Sequence, residues 1–217
     1  MASIRRRKGS GRAKRRTYAR RRMTSKMNAL TSWRANTTTF NATVKRTTCG
    51  LLPIVNIGRG PGDDQRVGDS VYLASIAVRG KVSISENMLE GKGCGYALAF
   101  VLDRAPTGVN PSLSTIFGKR ELASDWATAY IEQRNRHRFR LLMWKTGFIC
   151  RRNNVHEEVM VHKYVPVRRV ITYSGDTSGL GSVLTHAVYM CYFCHGMGQE
   201  QSNVIDIDVS VQSIFKT

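Results

Sequence analysis

Residues 204–215 read VIDIDVSVQSIF, a segment in which Ile205, Ile207, Val209 and Val211 alternate with polar side chains. Successive side chains of a β-strand point to opposite faces. A period of two therefore predicts a strand with one face in a core and the other in solvent. The rest of the chain repeats this kind of signal.

Seven further segments carry strand signals, and turn residues separate them. They are residues 37–48, 51–57, 70–85, 95–102, 139–150, 162–173 and 185–194. Both alternating faces of 70–85 carry apolar groups, which predicts cover on both sides. Pro166 has no amide hydrogen to donate, so it favours an edge strand or a bulge. Gly147 is expected to break the strand that contains it.

Helical spacing is confined to two places, a single turn at 112–117 and a segment at 121–135. About eight short strands with one or two short helices in long connections predict an all-β domain, a sandwich or a barrel. Among these architectures, we expect an eight-stranded antiparallel jelly roll.

The positive charge of the chain is concentrated near its N-terminus. Of 34 Lys and Arg residues, sixteen precede the first carboxylate, Asp63. The remaining residues are close to neutral, with 18 basic and 15 acidic side chains, although the whole chain carries +19. Residues 1–36 are too poor in apolar groups to offset chain entropy, so we expect a disordered basic arm, followed by a folded domain at 37–217.

This basic arm is predicted to bind a polyanion. Each phosphate that it neutralises releases counterions, which gives an affinity that is independent of sequence and sensitive to salt. Arginine suits bidentate phosphate contacts, and aromatic rings stack on single-stranded bases. The predicted nucleic-acid-binding residues are Arg5, Arg6, Arg7, Lys8, Arg12, Lys14, Arg15, Arg16, Tyr18, Arg20, Arg21, Arg22, Lys26, Trp33 and Arg34.

Two dense clusters in the arm are typical of nuclear import signals. They consist of Arg5, Arg6, Arg7 and Lys8, and of Lys14, Arg15 and Arg16. An organellar transit peptide is the alternative, whereas a secretory signal is not expected because no apolar run follows the charges. No stretch approaches the ~20 apolar residues of a membrane span, so no membrane partner is expected.

The five cysteines are odd in number and lack the spacing of a disulfide framework, which favours free thiols in a reducing compartment. Cys191, Cys194 and His195 match the C-x-x-C-H pattern of c-type haem attachment, so a haem or metal enzyme is one alternative. The pattern ends a run typical of a buried strand, and no second C-x-x-C completes a zinc site. We expect no metal, no cofactor and no enzymatic activity.

Several segments between residues 51 and 217 resemble geminivirus coat proteins in order and spacing. They are QRVGDSVYLASIAVRGKV (65–82), FVLDRAPTG (100–108), PSLSTIF (111–117), QRNRHRF (133–139), VYMC (188–191) and IDVSVQSIF (207–215). The resemblance implies a jelly-roll capsid protein that assembles with identical copies into a closed icosahedral-type shell around single-stranded DNA. It also implies a partner in the host nuclear import machinery, with the virion and the host nucleus as locations.

Two other functions remain open. Residues 62–69, GDDQRVGD, also resemble the coat protein of satellite tobacco necrosis virus, a jelly roll with a basic arm that encloses RNA. A non-viral nucleic-acid-binding module is the other possibility, although such a protein would spread its charge over the folded body. By charge alone, the candidates for an inner shell surface or for subunit contacts are Arg134, Arg136, Arg138 and Lys145.

Overall fold

A computed structural model describes residues 33–45, 48–85, 93–118, 129–151, 157–196 and 203–217. Its strands are β1 (Trp33–Lys45), β2 (Thr48–Pro53), β3 (Ser70–Ile84), β4 (Gly93–Asp103), β5 (Phe139–Cys150), β6 (Glu158–Thr172), β7 (Ala187–Gly196) and β8 (Asn203–Lys216). A short helix, α1 (Leu113–Phe117), and two 3₁₀ turns (Gln133–Asn135 and Leu180–Ser182) lie in the connections. Among these described residues, no helix has the length and apolar character that a bilayer crossing requires.

The strands form two four-stranded antiparallel sheets, in the orders β1-β8-β3-β6 and β2-β7-β4-β5. Every connection between consecutive strands passes from one sheet to the other, except the β4–β5 connection. This arrangement is the double-sheet jelly roll, so the predicted fold class is confirmed. In β8, the four alternating residues of the opening segment are all buried between the sheets.

Strand β3 has one buried face, whereas its sequence predicts two. Val71 and Leu73 are buried, but further along the strand the buried positions are Ile76, Val78 and Val82, which have the opposite parity. The register shifts between residues 73 and 75 against both neighbouring strands. An extra residue in a strand turns the following side chains to the other face, and this bulge accounts for the two apolar faces.

The strand that is covered on both faces is β4, in which every residue is buried. The Tyr192 ring of β7 lies 5.0 Å from Phe40 of the opposite sheet, so the next residue, Phe193, faces away from that sheet. Phe193 packs edge-on against Phe117 of α1 at 5.5 Å and lies 5.5 Å from Trp144 of β5. The β4–β5 connection therefore covers the outer face of this sheet.

Strand β6 lies at the edge of its sheet, as Pro166 predicts. It also carries an irregularity, because the register shift falls opposite residues 166–169 and Arg168 adopts a φ of 54°. Strand β5 runs without a break through Gly147, contrary to expectation. A Cβ atom at Gly147 would lie 2.5 Å from the ring of Tyr96, its partner in β4, so the glycine makes room for that ring.

Two boundaries also differ from prediction. Strand β1 begins at Trp33, four residues before the predicted start of the domain, because residues 33–36 pair with the end of β8. Backbone pairing of this kind does not require apolar side chains. Of the predicted helix 121–135, residues 121–128 lie outside the described ranges. Residues 129–132 are not helical, and Gln133–Asn135 form a 3₁₀ turn.

The antiparallel order sorts the connections to the two ends of the sandwich. The β2–β3, β4–β5 and β6–β7 connections lie at the end where β1 begins, which we call the arm end. The other four connections lie at the opposite end, and each includes residues outside the described ranges. The start of β1 therefore lies at the same end as these three connections, of which β2–β3 and β6–β7 are described throughout and β4–β5 is described except for residues 119–128.

Candidate nucleic-acid interface

Most residues predicted to bind nucleic acid, from Arg5 to Lys26, lie outside the described residues. The two that the structure describes are Trp33 and Arg34, the first residues of β1. Because adjacent side chains of a strand point to opposite faces, these two residues have different surroundings.

Trp33 is exposed at the arm end, with 56% of its surface accessible. Its partner in the β1–β8 register is Lys216, whose Nζ atom lies 4.2 Å from the centre of the indole ring. This cation–π contact places a positive charge beside an exposed aromatic ring. The pair is suited to stacking on a base and contacting the adjacent phosphate.

Arg34 serves the fold, which its charge alone did not reveal. Its Nη1 atom donates to the carbonyl oxygen of Gly62 at 2.5 Å and to that of Gln65 at 3.0 Å. Asn36 donates to the carbonyl oxygen of Asp64 at 3.3 Å. These hydrogen bonds hold the β2–β3 connection against the start of β1, so the Arg34 guanidinium is committed to the domain.

Arg66 is the centre of the β2–β3 connection and is completely buried. Its Nε atom donates to the carbonyl oxygen of Ile57 at 3.1 Å, its Nη1 to that of Gly68 at 2.6 Å and its Nη2 to that of Gly175. The guanidinium also lies 4.4 Å from the centre of the Tyr173 ring. Because Ile57 and Gly68 belong to the β2–β3 connection and Gly175 belongs to the β6–β7 connection, Arg66 links the two. This is the structural role of the arginine in the motif QRVGD.

Residues 132–140, which we call the basic turn, contain the 3₁₀ turn Gln133–Asn135 and lead into β5. The backbone amide of Glu132 donates to the carbonyl oxygen of Ile116 at 2.9 Å, and the Asn135 side chain donates to that of Thr115 at 2.7 Å. The turn is therefore anchored to α1, which itself packs on the outer face of the β4 sheet.

A bidentate ion pair fixes the other end of the basic turn. Arg138 donates from Nε and Nη2 to the two carboxylate oxygens of Asp103, at 2.9 and 2.8 Å. Asp103 is fully buried and also accepts a hydrogen bond from the backbone amide of Ala105 at 3.0 Å. The hydrogen bond to Asp103 raises the pKa of Arg138 above its ordinary value. Arg138 therefore positions the turn and is not available to a ligand.

The other basic residues of this region point into solvent. Arg134, Arg136, His137 and Arg140 are exposed, as is Arg104, whose backbone amide donates to the carbonyl oxygen of Arg138 at 2.9 Å. Within the described part of the chain, no carboxylate lies at ion-pair distance from any of these arginines.

The structure thus divides the four body candidates. Arg134 and Arg136 share one exposed turn, Arg138 is ion-paired, and Lys145 lies half-buried along β5. Arg104 and Arg140 join the first two, although charge reasoning did not select them. Arg104 could have been selected from its position in the sequence. It directly follows β4, and β4 pairs with β5, the strand into which the basic turn leads.

The C-x-x-C-H pattern does not form a ligand set in β7. Cys191 and Cys194 are three residues apart in a strand, so their thiols point to opposite faces and cannot reach one metal ion. The Cys194 sulfur instead lies 3.1 Å from that of Cys94. The contact with Cys94 and burial both raise the pKa of Cys194, and burial raises that of Cys191. Among the described residues, no group of three or more His, Cys, Asp and Glu is arranged to hold a metal ion.

Three comparisons with known proteins bear on this site. A family model described as "Geminivirus coat protein/nuclear export factor BR1 family" matches residues 1–216. The capsid protein of African cassava mosaic virus (isolate Nigerian) is 28% identical over 134 residues, which are 60% of this chain and 51% of that protein. The match thus spans about half the length of that relative. A chain of the T13 IBDV viral particle aligns with 84% of this chain and 39% of its own length at 11% identity, but its TM-score of 0.23 supports no inference.

Proposed function

Because the chain belongs to the family of geminivirus coat proteins and nuclear export factor BR1, we propose that it is a capsid protein that encloses single-stranded DNA. The observation that carries this proposal is the separation of charge, since residues 1–32 hold twelve basic side chains and no acidic one, whereas the much longer segment 33–217 holds 22 basic and 15 acidic side chains. The jelly roll supplies a rigid body for a shell, and the arm supplies the counter-charge for the genome.

The charge of the arm is large enough for this role. Twelve basic residues and no carboxylate precede the domain in each copy. A shell of about 60 copies would hold roughly 700 such charges, which offset a large share of the phosphates of a genome a few kilobases long. An extended arm reaches about 110 Å at most, which spans much of the interior of a small particle.

Electron microscopy of the purified full chain tests this function. We expect uniform shells whose nucleic acid is digested by a DNase after disruption and resists an RNase. The matched variant replaces the twelve Lys and Arg residues between positions 5 and 26 with Gln, and it should form shells, if any, that lack nucleic acid. RNA inside the particles would favour a satellite-like capsid. A protein that binds DNA but never assembles would contradict the capsid assignment.

We further propose that the two basic clusters of the arm are read by the host nuclear import machinery. A fluorescent protein fused to residues 1–32 should accumulate in plant or animal cell nuclei, since clusters of this density are typical import signals. The control fusion carries Ala at Arg5, Arg6, Arg7, Lys8, Lys14, Arg15 and Arg16, and it should remain distributed through the cell. Equal nuclear accumulation of both fusions would contradict this role.

A further inference from the structure

We propose that the folded domain has a nucleic-acid-binding site of its own, formed at the basic turn by Arg104, Arg134, Arg136 and Arg140 together with the ring of Tyr130. The ligand is the backbone of a single strand, with one base stacked on the tyrosine. The identity of that polyanion rests on the proposed function, but the site itself does not depend on the arm.

The first argument is unbalanced charge. The described carboxylates nearest in sequence are Asp103, which Arg138 neutralises, and Glu132. The carboxylate of Glu132 lies beside Gly118, the residue that caps the C-terminus of α1, since Glu132 Oε2 occupies the space that a Cβ atom at Gly118 would need. Among the described residues, these four exposed guanidinium groups have no carboxylate partner; like charges repel one another, and a polyanion relieves that repulsion. Arginine is the side chain best suited to phosphate because its planar fork makes two parallel hydrogen bonds.

The second argument is that the turn is held in place before any ligand binds. Its start is tied to α1 by Glu132 and Asn135, and its end is tied to β4 by the Asp103–Arg138 ion pair. The backbone amide of Arg138 also donates to the carbonyl oxygen of Asn135 at 3.0 Å. A surface that is already ordered loses little conformational entropy on binding, which favours affinity.

The third argument is an exposed aromatic ring that precedes the basic turn closely in the sequence. Tyr130 leads into the basic turn, two residues before Glu132, and 58% of its surface is accessible. Proteins that bind single strands combine a positive surface with aromatic rings on which bases stack, and both elements are present here. The turn lies at the arm end, where Trp33 and Lys216 form a second exposed pair of ring and cation. Two exposed aromatic rings, each near a cation or the basic turn, therefore lie at the same end of the domain.

The experiment measures binding of a fluorescent oligothymidylate to the full chain by anisotropy over a series of salt concentrations. The test variant is Arg134→Gln, Arg136→Gln and Arg140→Gln together. The control variant is Lys45→Gln, Arg79→Gln and Lys163→Gln, which removes the same charge from exposed positions outside the basic turn. Each phosphate contact on a single strand contributes about 0.7 to the slope of log affinity against log salt, so the test variant should lose about 2 from that slope. The control should keep the slope of the unmodified protein.

Tyr130→Leu separates stacking from charge. It should weaken binding about fivefold or more at every salt concentration and leave the slope unchanged, since stacking does not release counterions. In the variant whose twelve arm residues between positions 5 and 26 are Gln, the triple change at the turn should abolish the residual affinity. That result would stand even if no shells formed, so it is independent of the capsid assignment.

Two outcomes would overturn the inference. Equal slopes in the test and control variants would mean that the arm alone contacts the phosphates. An unchanged slope together with loss of assembly only in the test variant, followed by light scattering, would mean that the basic turn is a contact between copies of the chain.

Discussion

The β2–β3 connection and the β4–β5 connection lie at the same end of the sandwich and both depend on arginine, but they use it in opposite ways. In the first, Arg66 is buried among carbonyl oxygens, and the exposed Arg59 pairs with Asp69 and Asp176 at 3.5 and 2.9 Å. In the second, Arg138 is paired with a buried carboxylate, and four other arginines are exposed and have no carboxylate partner among the described residues. The burial and the partners of an arginine, and not its charge, therefore distinguish a role in the fold from a role in binding.

Each connection also buries a tyrosine beside its structural arginine. Tyr173 lies under Arg66, and burial raises its pKa above the ordinary value of 10.0. Tyr189 lies near the Asp103–Arg138 pair, and its pKa is raised by burial first and then by the charge of Asp103. The Tyr189 hydroxyl has no hydrogen-bond partner among the described residues. Both regions therefore bury a tyrosine near an arginine, and they differ in whether their exposed arginines form ion pairs.

Removal of the buried guanidinium of Arg66 should have the largest effect on the free energy of unfolding. Arg66→Met should lower the free energy of unfolding by about 3 kcal/mol or more, because several buried carbonyl oxygens lose their donor. Urea unfolding followed by tryptophan fluorescence measures this loss. The control is Arg59→Met, whose exposed ion pairs contribute less than about 1 kcal/mol. Equal losses from the two changes would mean that burial does not distinguish these arginines.

The corresponding change in the β4–β5 connection is Asp103→Asn. It preserves the shape of the side chain but leaves Arg138 without a counter-charge, so the free energy of unfolding should fall by about 2 kcal/mol. The effect is smaller than that of Arg66→Met because the Arg138 side chain is 20% exposed and water replaces part of the interaction. A double-mutant cycle with Arg138→Gln measures the coupling. Additive losses would show that the two groups act independently.

Alkaline pH tests the two interiors together. A tyrosine with a raised pKa in the folded state contributes stability that is fully present below its unfolded pKa near 10 and is lost as pH rises above it. Between pH 10 and 11, each buried tyrosine should cost about 1 kcal/mol of the free energy of unfolding. Urea titrations at pH 10 and at pH 11 measure this loss of stability. In Tyr173→Phe and in Tyr189→Phe, the loss between the two pH values should be smaller by the contribution of the one tyrosine that was replaced. If either variant kept the full pH dependence, its hydroxyl would not be neutral in the fold.

The smallest expected effect belongs to the exposed arginines. Arg134→Gln, Arg136→Gln and Arg140→Gln together should change the free energy of unfolding by less than about 0.5 kcal/mol, because these side chains make no described ion pair. The same urea experiment measures this value. A loss of more than about 1 kcal/mol would place these residues with Arg66 as parts of the fold.

Much of the fold could be predicted from local patterns. Alternation of apolar and polar residues in 204–215 predicts both the strand and its buried face, because every second side chain of a strand points to the same side. The same reasoning fails for β3, where the bulge at Ala74 reverses the faces. A bulge depends on how two neighbouring strands pair, and those strands are distant in the sequence. The predicted break at Gly147 fails for the same reason, since the ring that occupies the space beside this glycine belongs to Tyr96 of β4.

The roles of individual basic residues could not be predicted from local sequence either. The eight strand segments and the concentration of positive charge near the N-terminus follow from the sequence alone, because both are properties of residues that are neighbours in the chain. The roles of the individual arginines depend on the folded chain, because folding brings Asp103 to Arg138, Gly175 to Arg66 and the carbonyl oxygen of Gly62 to Arg34. A charge that is neutralised or buried by a distant partner looks the same in sequence as one that faces solvent, and only the partner's position in space separates them.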